Sequence, residues 1–263
     1  MPISGTAPGN DPPQTVTTGP ADDPAADLSV ASYNIHKGIG TDRRRYLART
    51  AEVIAEIRPD ILALQEADTR FGTRTGLLDL DSIRRDLGLT VVPLDGVGDA
   101  HGWHGNLLLV RNALVQEVQQ LVLPGLEPRG ALVTDLVIAG QPLRIVNAHL
   151  GLLPVSRAAQ ASALIDKISQ LEGRPTLLLG DLNEWRGGGA ALQTLSQHFQ
   201  IAEARLSFPG RYPILALDRM MLSPHGELLE VTAHDSPLSR RASDHLPIKA
   251  RLRLGGFPMA KLT

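Results

Sequence analysis

Thr176-Leu177-Leu178-Leu179-Gly180-Asp181-Leu182-Asn183 is the stretch on which the fold class turns. A strand-length apolar run stops at a glycine and gives way to a carboxylate and, two residues later, a carboxamide. Such a run, bounded by turn residues, reads as a strand covered on both faces. A carboxylate at its end is costly to bury unless it is paired. The same shape recurs in both directions along the chain. Leu28–Ile35 carries Asn34 and is followed by His36, two apart and so on one face of an extended strand. Ile61–Gln65 runs into Glu66, and Leu143–Ala148 into His149. Asp218 sits inside Leu215–Leu222, and Asp244-His245 comes just before the last strand, Leu246–Leu254. In α/β folds, ligands bind near the ends of buried strands, where loop residues converge.

Helical periodicity fills the gaps between these strands. Asp42 is placed to cap a helix with Leu47, Ala51, Ile54 and Ile57 on one face, closed by Pro59 after Arg58. A second helix is expected over Asp81–Leu87, ending at Gly88, with a strand at Leu89–Leu94. Asn106–Val110, Val115–Leu123, Ala131–Ile138 and Leu143–Ala148 follow so closely, with turn residues between them, that they read as antiparallel hairpins. Ala158, Ala161, Leu164, Ile165, Ile168 and Leu171 form the apolar face of a further helix, and Leu228–Thr232 reads as one more strand. The expectation is a single α/β domain over residues 28–256, with large mixed or antiparallel sheets.

Composition bounds the rest. The chain has 263 residues, is 43% hydrophobic and carries a formal net charge of −2, enough apolar content for a sizeable core. Residues 1–27 hold six prolines, four aspartates and neither Lys nor Arg, and read as a disordered tail. A short C-terminal tail is expected over residues 257–263. Without residues 1–27 the net charge is +2, with 22 Arg against 4 Lys. That excludes a generally basic nucleic-acid binder, though not a local basic patch. The absence of Cys removes disulfides, thiolate metal sites and a cysteine nucleophile. Lacking a secretory signal and any membrane-length apolar run, the chain is expected to be soluble, cytoplasmic and monomeric.

The polar inventory at the strand ends narrows the chemistry. No HExxH, Gly-x-Ser-x-Gly, Walker or Gly-x-Gly-x-x-Gly motif is present. His198, His225 and His234 read as surface or core histidines. Carboxylates, carboxamides and imidazoles remain. Hard oxygen donors suit Mg²⁺ or Mn²⁺, and imidazoles suit proton transfer or contact with a phosphate oxygen. Together they imply metal-assisted attack of water on phosphorus.

Six segments, in order, resemble the endonuclease/exonuclease/phosphatase superfamily of DNase I-like phosphohydrolases. They are Tyr33-Asn34-Ile35-His36, Leu64-Gln65-Glu66, Asn147-Ala148-His149-Leu150, Gly180-Asp181-Leu182-Asn183, Leu217-Asp218-Arg219 and Ser243-Asp244-His245. The resemblance implies a four-layer α/β sandwich, two packed mixed sheets flanked by helices, with the site at one end. It implies Glu66 as the main metal-ligating glutamate, with Asn34 and Asp244 completing the shell around Mg²⁺ or Mn²⁺. By the same resemblance Asp181 orients or deprotonates the attacking water, with Asn183 its partner on the phosphate. His245 contacts the phosphate or acts as base, held by Asp218, and His149 stabilises phosphate charge or protonates the leaving oxygen. His36 and Arg129 are the remaining candidates for holding substrate phosphate. His104-Gly105-Asn106 departs from the family's Tyr-Gly-Asn, and Asp218-Arg219 from its Asp-Tyr. With few aromatic residues, base stacking is poorly provided for. The expected substrate is therefore a small or lipid-linked phosphate ester, the alternatives being DNA or RNA, or a binding protein without turnover. Leu152, Leu153, Pro154 and Val155 are candidates for an apolar rim or, more plainly, a helix-entry loop.

Overall fold

The computed structural model describes residues 27–69 and 74–255. It contains β1 (Leu28–Asn34), a 3-10 turn (His36–Gly38), α1 (Leu47–Ile57), β2 (Ile61–Gln65), α2 (Leu80–Leu87), β3 (Thr90–Val91), β4 (Leu107–Val110), β5 (Ala113–Leu123), β6 (Arg129–Ile138) and β7 (Gln141–His149). The chain continues through α3 (Pro154–Ser169), β8 (Thr176–Asp181), α4 (Ala190–Ser196), β9 (Gln200–Ile201), β10 (Asp218–Leu222), β11 (Gly226–Ala233), α5 (Ser239–Ala242) and β12 (Ile248–Leu254). The tails expected over residues 1–27 and 257–263 lie outside the described residues, except Asp27. That carboxylate belongs to the fold, pairing with Arg251 at 2.7 Å and Arg253 at 2.9 Å.

Two six-stranded sheets result, in the orders β11-β12-β1-β2-β4-β3 and β5-β6-β7-β8-β10-β9. β1–β2 and β7–β8 are parallel and the other ladders antiparallel, so both sheets are mixed. Each parallel pair needs a crossover, and α1 and α3 supply them. Three apolar clusters define four layers. Val30, Ile61, Leu108, Ile145, Leu177 and Met220 mesh between the sheets. Ala31, Tyr33, Leu62 and Leu64 face out, onto Val53 and Ile54 of α1. Val146 and Leu178 face out on the other side, onto Leu164 of α3 and Leu192 of α4. This is the four-layer α/β sandwich.

Because side chains alternate along a strand, each inner face can be followed residue by residue. On β1 it runs Val30, Ser32, Asn34; on β2, Ile61, Ala63, Gln65; on β7, Ile145, Asn147, His149; on β8, Leu177, Leu179, Asp181. Each row is apolar at one end and polar at the other, and register brings the polar ends together. His149 pairs with Asp181, which on its other side pairs with Asp218. Between the sheets the polar groups bond across the gap. Gln65 Nε2 donates to Asn147 Oδ1 at 2.9 Å, and Asn147 Nδ2 to the carbonyls of Leu64 and Leu107 at 3.1 and 3.0 Å. Gly180 precedes the central aspartate at φ 146°, and a Cβ there would stand 1.9 Å from the Ala148 carbonyl oxygen. Any side chain at 180 forces β7 and β8 apart at the point where His149 meets Asp181.

Several elements differ from the sequence expectation. Asp42 does not cap α1, which starts at Leu47; its carboxylate binds Arg49 bidentately at 2.8 and 3.1 Å. The strand expected over Leu89–Leu94 shrinks to Thr90–Val91 at a sheet edge, where Pro93 has no N–H for a ladder. Leu215–Leu217 stays outside the β8–β10 ladder because Leu215 bridges to Phe208 instead, so Asp218 opens its strand rather than sitting inside it. β1 ends at Asn34, and His36 and Lys37 turn at φ 46° and 56°, so Asn34 and His36 do not share a strand face.

Asn147→Ala leaves the Gln65 amide and two carbonyls without that cross-sheet partner. A loss of about 2–4 kcal/mol is expected, at roughly 1–3 kcal/mol per buried group. Chemical denaturation reads it, and a change below 1 kcal/mol, on the order of a surface substitution, counts against the cross-sheet role.

Candidate active site

At the polar end, a cleft of about 440 Å³ is lined by Asn34, His36, Lys37, Glu66, Arg129, His149, Asp181, Asn183, Asp244 and His245, with Leu152, Phe208 and Leu217. Nine of the ten sequence-predicted residues thus line one cleft. The tenth, Asp218, stands behind His245.

Asp181 is the hub. Its Oδ2 accepts from Asn34 Nδ2 at 2.9 Å and lies 3.3 Å from His149 Nε2 and 3.7 Å from His245 Nε2; its Oδ1 accepts from the Asn183 N–H at 3.0 Å. Asn183 turns at φ 52°, and its side chain is anchored to the Leu150 carbonyl at 3.0 Å. Burial lifts the Asp181 carboxyl above the ordinary aspartate value, and the Asp218 charge adds to this against the opposing pull of His245.

His245 Nδ1 lies 2.8 Å from Asp218 Oδ2, an oxygen that also accepts from Ser207 Oγ at 2.5 Å. Burial works against a charged imidazole, but Asp218 and Asp181 outweigh it and hold the ring well above the ordinary histidine value. Asp218 Oδ1 is buried with no hydrogen-bond partner. On the opposite wall, Arg129 Nη1 lies 3.0 and 2.9 Å from the two ring nitrogens of His149, while Nη2 donates to Glu127 at 3.0 Å.

Glu66 follows β2 in the left-handed region, at φ 55°, and its carboxylate is paired with the Lys37 ammonium. Burial opposes the charge on Glu66, yet Lys37 outweighs it and holds the carboxyl below its ordinary value. Asn34 Oδ1 accepts from the His36 N–H at 3.0 Å, and Asp244 Oδ1 lies 3.5 Å from His36 Nδ1. Beside Glu66, Asp68, Arg74 and His104 line a small adjoining pocket. Burial pushes the Asp68 carboxyl up to about 6.

Sequence reasoning did not find Lys37, Ser207, Phe208 or Asp68. Asp68 had a signal, lying two residues beyond Glu66 past a strand end. Ser207 and Phe208, whose ring centroid is 4.9 Å from that of His245, sit in a loop with no pattern of its own. Of the histidines set aside, His234 pairs with Glu56 at 2.7 Å. Arginine–aromatic pairs do exist at the surface: Arg186 over Trp185 at 4.9 Å and Arg211 over Tyr212 at 5.6 Å.

The profile of the Endonuclease/Exonuclease/phosphatase family matches residues 31–245, which include every one of these groups. The chain belongs to that family. The activities in the family's name are hydrolyses of phosphate esters. The uncharacterized protein YbhP of Escherichia coli is 27% identical over 252 residues, covering 86% of this chain and 96% of YbhP. An endonuclease/exonuclease/phosphatase from Beutenbergia cavernae superposes with a TM-score of 0.67 at 21% identity, covering 89% of this chain and 73% of that one. D. rerio TDP2, complexed with single-strand DNA product, and a mannosyl-6-phosphatase from Bacteroides thetaiotaomicron each give 0.65 at 18% identity. Each covers 86% of this chain, and the shares of their own chains covered are 98% and 99%.

The cleft's donors fit a hard divalent cation. Carboxylates of Glu66, Asp181 and Asp244 and carboxamides of Asn34 and Asn183 face one space, a donor set suited to Mg²⁺ or Mn²⁺. Asp181, Asp218 and His245 also offer ligand atoms within 4.8 Å of one another. There Asp218 and Asp181 hold the His245 ring protonated, without a lone pair to give a metal, which favours the Glu66 side. Glu66→Gln is expected to weaken Mg²⁺ binding roughly tenfold or more, as loss of one charged ligand contact implies. The Mg²⁺-dependent rise in melting temperature reads this without turnover; an unchanged midpoint removes Glu66 from the ligands.

Proposed function

We propose that this protein is a Mg²⁺- or Mn²⁺-dependent phosphohydrolase that splits a small or lipid-linked phosphate ester by attack of water on phosphorus. The observation that carries this reading is the meeting of Asp181 with His149, His245 and Asn34 at one end of the sandwich. A bound divalent cation would be held by Glu66, Asn34 and Asp244 and would supply charge neutralisation at the phosphate oxygens.

Opposed environments assign the proton roles. Asp181, its pKa raised, is the base that orients the water and takes its proton. His245, kept charged by Asp218, is a cation against the phosphoryl oxygens rather than the base. The Asp218 bond at Nδ1 turns Nε2 toward Asp181 and the cleft. His149, packed against Arg129, faces the same oxygen of Asp181 and is placed to stabilise phosphate charge or protonate the leaving group. Asn183 and His36 complete the phosphate contacts. Exposed Leu152, Leu153 and Val155, at the start of α3 beside the cleft, suit an apolar alcohol as leaving group. Nuclease activity is the second reading, favoured by the two exposed arginine–aromatic pairs.

With Mg²⁺ and an EDTA control, bis-p-nitrophenyl phosphate, single-stranded DNA and a phospholipid test the reading. A steep fall of activity with salt on DNA favours the nuclease. Asp181→Asn is expected to lower kcat on the order of 10² or more, as loss of a general base implies, with folding retained; retained turnover removes it as base.

The profile of kcat/KM against pH should be bell-shaped. It falls in acid as Asp181 takes a proton, and in alkali as His245 loses one. Asp218→Asn removes the charge that holds His245 up, so the alkaline limb should move down by about 1–3 pH units. An unmoved limb dissociates the pair.

A further inference from the structure

Outside the catalytic cleft, three segments meet around a cavity of about 400 Å³ lined by Thr41, Asp42, Arg211, Tyr212, Arg240 and Arg241. They meet at backbone distance. A Cβ on Gly40 would stand 2.2 Å from the Arg241 carbonyl oxygen, and one on Gly210 2.8 Å from that of Ser243. Thr41 N–H donates to the Arg241 carbonyl at 3.1 Å and Gly210 N–H to that of Asp244 at 2.6 Å. The cavity therefore shares the Asp244 segment with the catalytic cleft.

Its wall holds three arginines and one carboxylate, and the carboxylate is already engaged. Both Asp42 oxygens bind Arg49, and the Arg44 N–H donates to one of them at 3.0 Å. Arg240 is fixed in place by Asp235, at 2.5 and 2.7 Å, and donates to the Arg211 carbonyl at 3.1 Å. Arg211 rests on the Tyr212 ring with no carboxylate partner among the described residues. Arg241 reaches Asp42 only through Nε, at 3.4 Å, and its side chain is 65% exposed. Arg43, Arg44 and Arg45, exposed in the loop that carries Asp42, add side-chain charge that no described carboxylate answers.

We infer that this arginine-walled cavity is a second anion site, which binds a phosphate group other than the one to be hydrolysed. Guanidinium forks match the paired oxygens of a phosphate. The formal charge of +2 on the wall matches a phosphate dianion, and the Tyr212 hydroxyl offers a further hydrogen bond, whereas that of Thr41 is already donated to the Arg240 carbonyl at 3.2 Å. The phosphate is supplied either by a second ester on the substrate molecule or by a separate phosphate-bearing effector; the chemistry is the same.

Inorganic phosphate is the probe, added to the full chain in EDTA at constant ionic strength set with chloride. The Arg211 and Arg241 Nε–H resonances, assigned through Arg211→Gln and Arg241→Gln, are expected to shift on titration. The double variant should weaken that binding roughly tenfold or more, as loss of charge-assisted hydrogen bonds implies, while the His149 and His245 rings still respond. If those rings respond and the arginine signals stay fixed, phosphate binds only in the catalytic cleft and the inference is wrong.

Kinetics separate the sources. A second ester predicts that the double variant raises KM for a bisphosphorylated substrate and leaves that for bis-p-nitrophenyl phosphate within about twofold. An effector predicts that phosphate changes kcat on bis-p-nitrophenyl phosphate in the wild type but not in the double variant. The binding measurement needs no turnover, so it stands or falls apart from the proposed hydrolysis.

Discussion

The hydrogen bond from Asn34 to Asp181 joins residues 147 positions apart and belongs to neither sheet's ladder. It crosses the gap between the sheets, and the rest of the site is arranged around it. An apolar interface alone fixes the distance between two sheets better than their lateral alignment, because burial is not directional. Directional bonds from Asn34, Gln65 and Asn147 supply the alignment. A side chain of β1 is thereby brought against the central aspartate of β8. His149 and Asp218 then arrive without further contrivance, as the register neighbours of Asp181 on either side.

The same buried setting divides two otherwise similar groups. Asp181 and Asp218 are paired residues on adjacent strands, both buried. Asp218 has a histidine nitrogen and a serine hydroxyl on one oxygen, and its charge is matched by the imidazolium it sustains. Asp181 shares its oxygens among a carboxamide, a backbone N–H and the edges of two imidazoles, and burial leaves its proton easier to hold. In the proposed mechanism one carboxylate is a fixed counter-ion and the other an exchangeable base, a distinction set by neighbours rather than by residue type.

Much of this was legible along the chain, because each strand announces its polar end. Asp181, His149, Asn34 and Glu66 break apolar runs, and a run can be read locally. What could not be read is contact between segments without periodicity. Ser207 reaches Asp218 from a loop with no repeat, and Lys37 meets Glu66 only because two residues turn left-handed after β1. Asp42 carried a capping signal, but Arg49 claimed its carboxylate and the helix began five residues later. Net charge concealed the arginine-walled cavity for the same reason. A near-neutral sum says nothing of where six arginines gather.

The order of strands in the first sheet bears on how the chain acquires its fold. The second sheet is drawn wholly from residues between Ala113 and Leu222, whereas the first pairs Leu28 with Leu252. Closing so long a loop forfeits chain entropy before any contact rewards it. The β1–β12 ladder is therefore a late event, and the segment carrying Asp244 and His245 lies directly before β12. During synthesis the second sheet is complete in sequence while the first still lacks two strands. Assembly of the candidate site is thus tied to the last ladder to close.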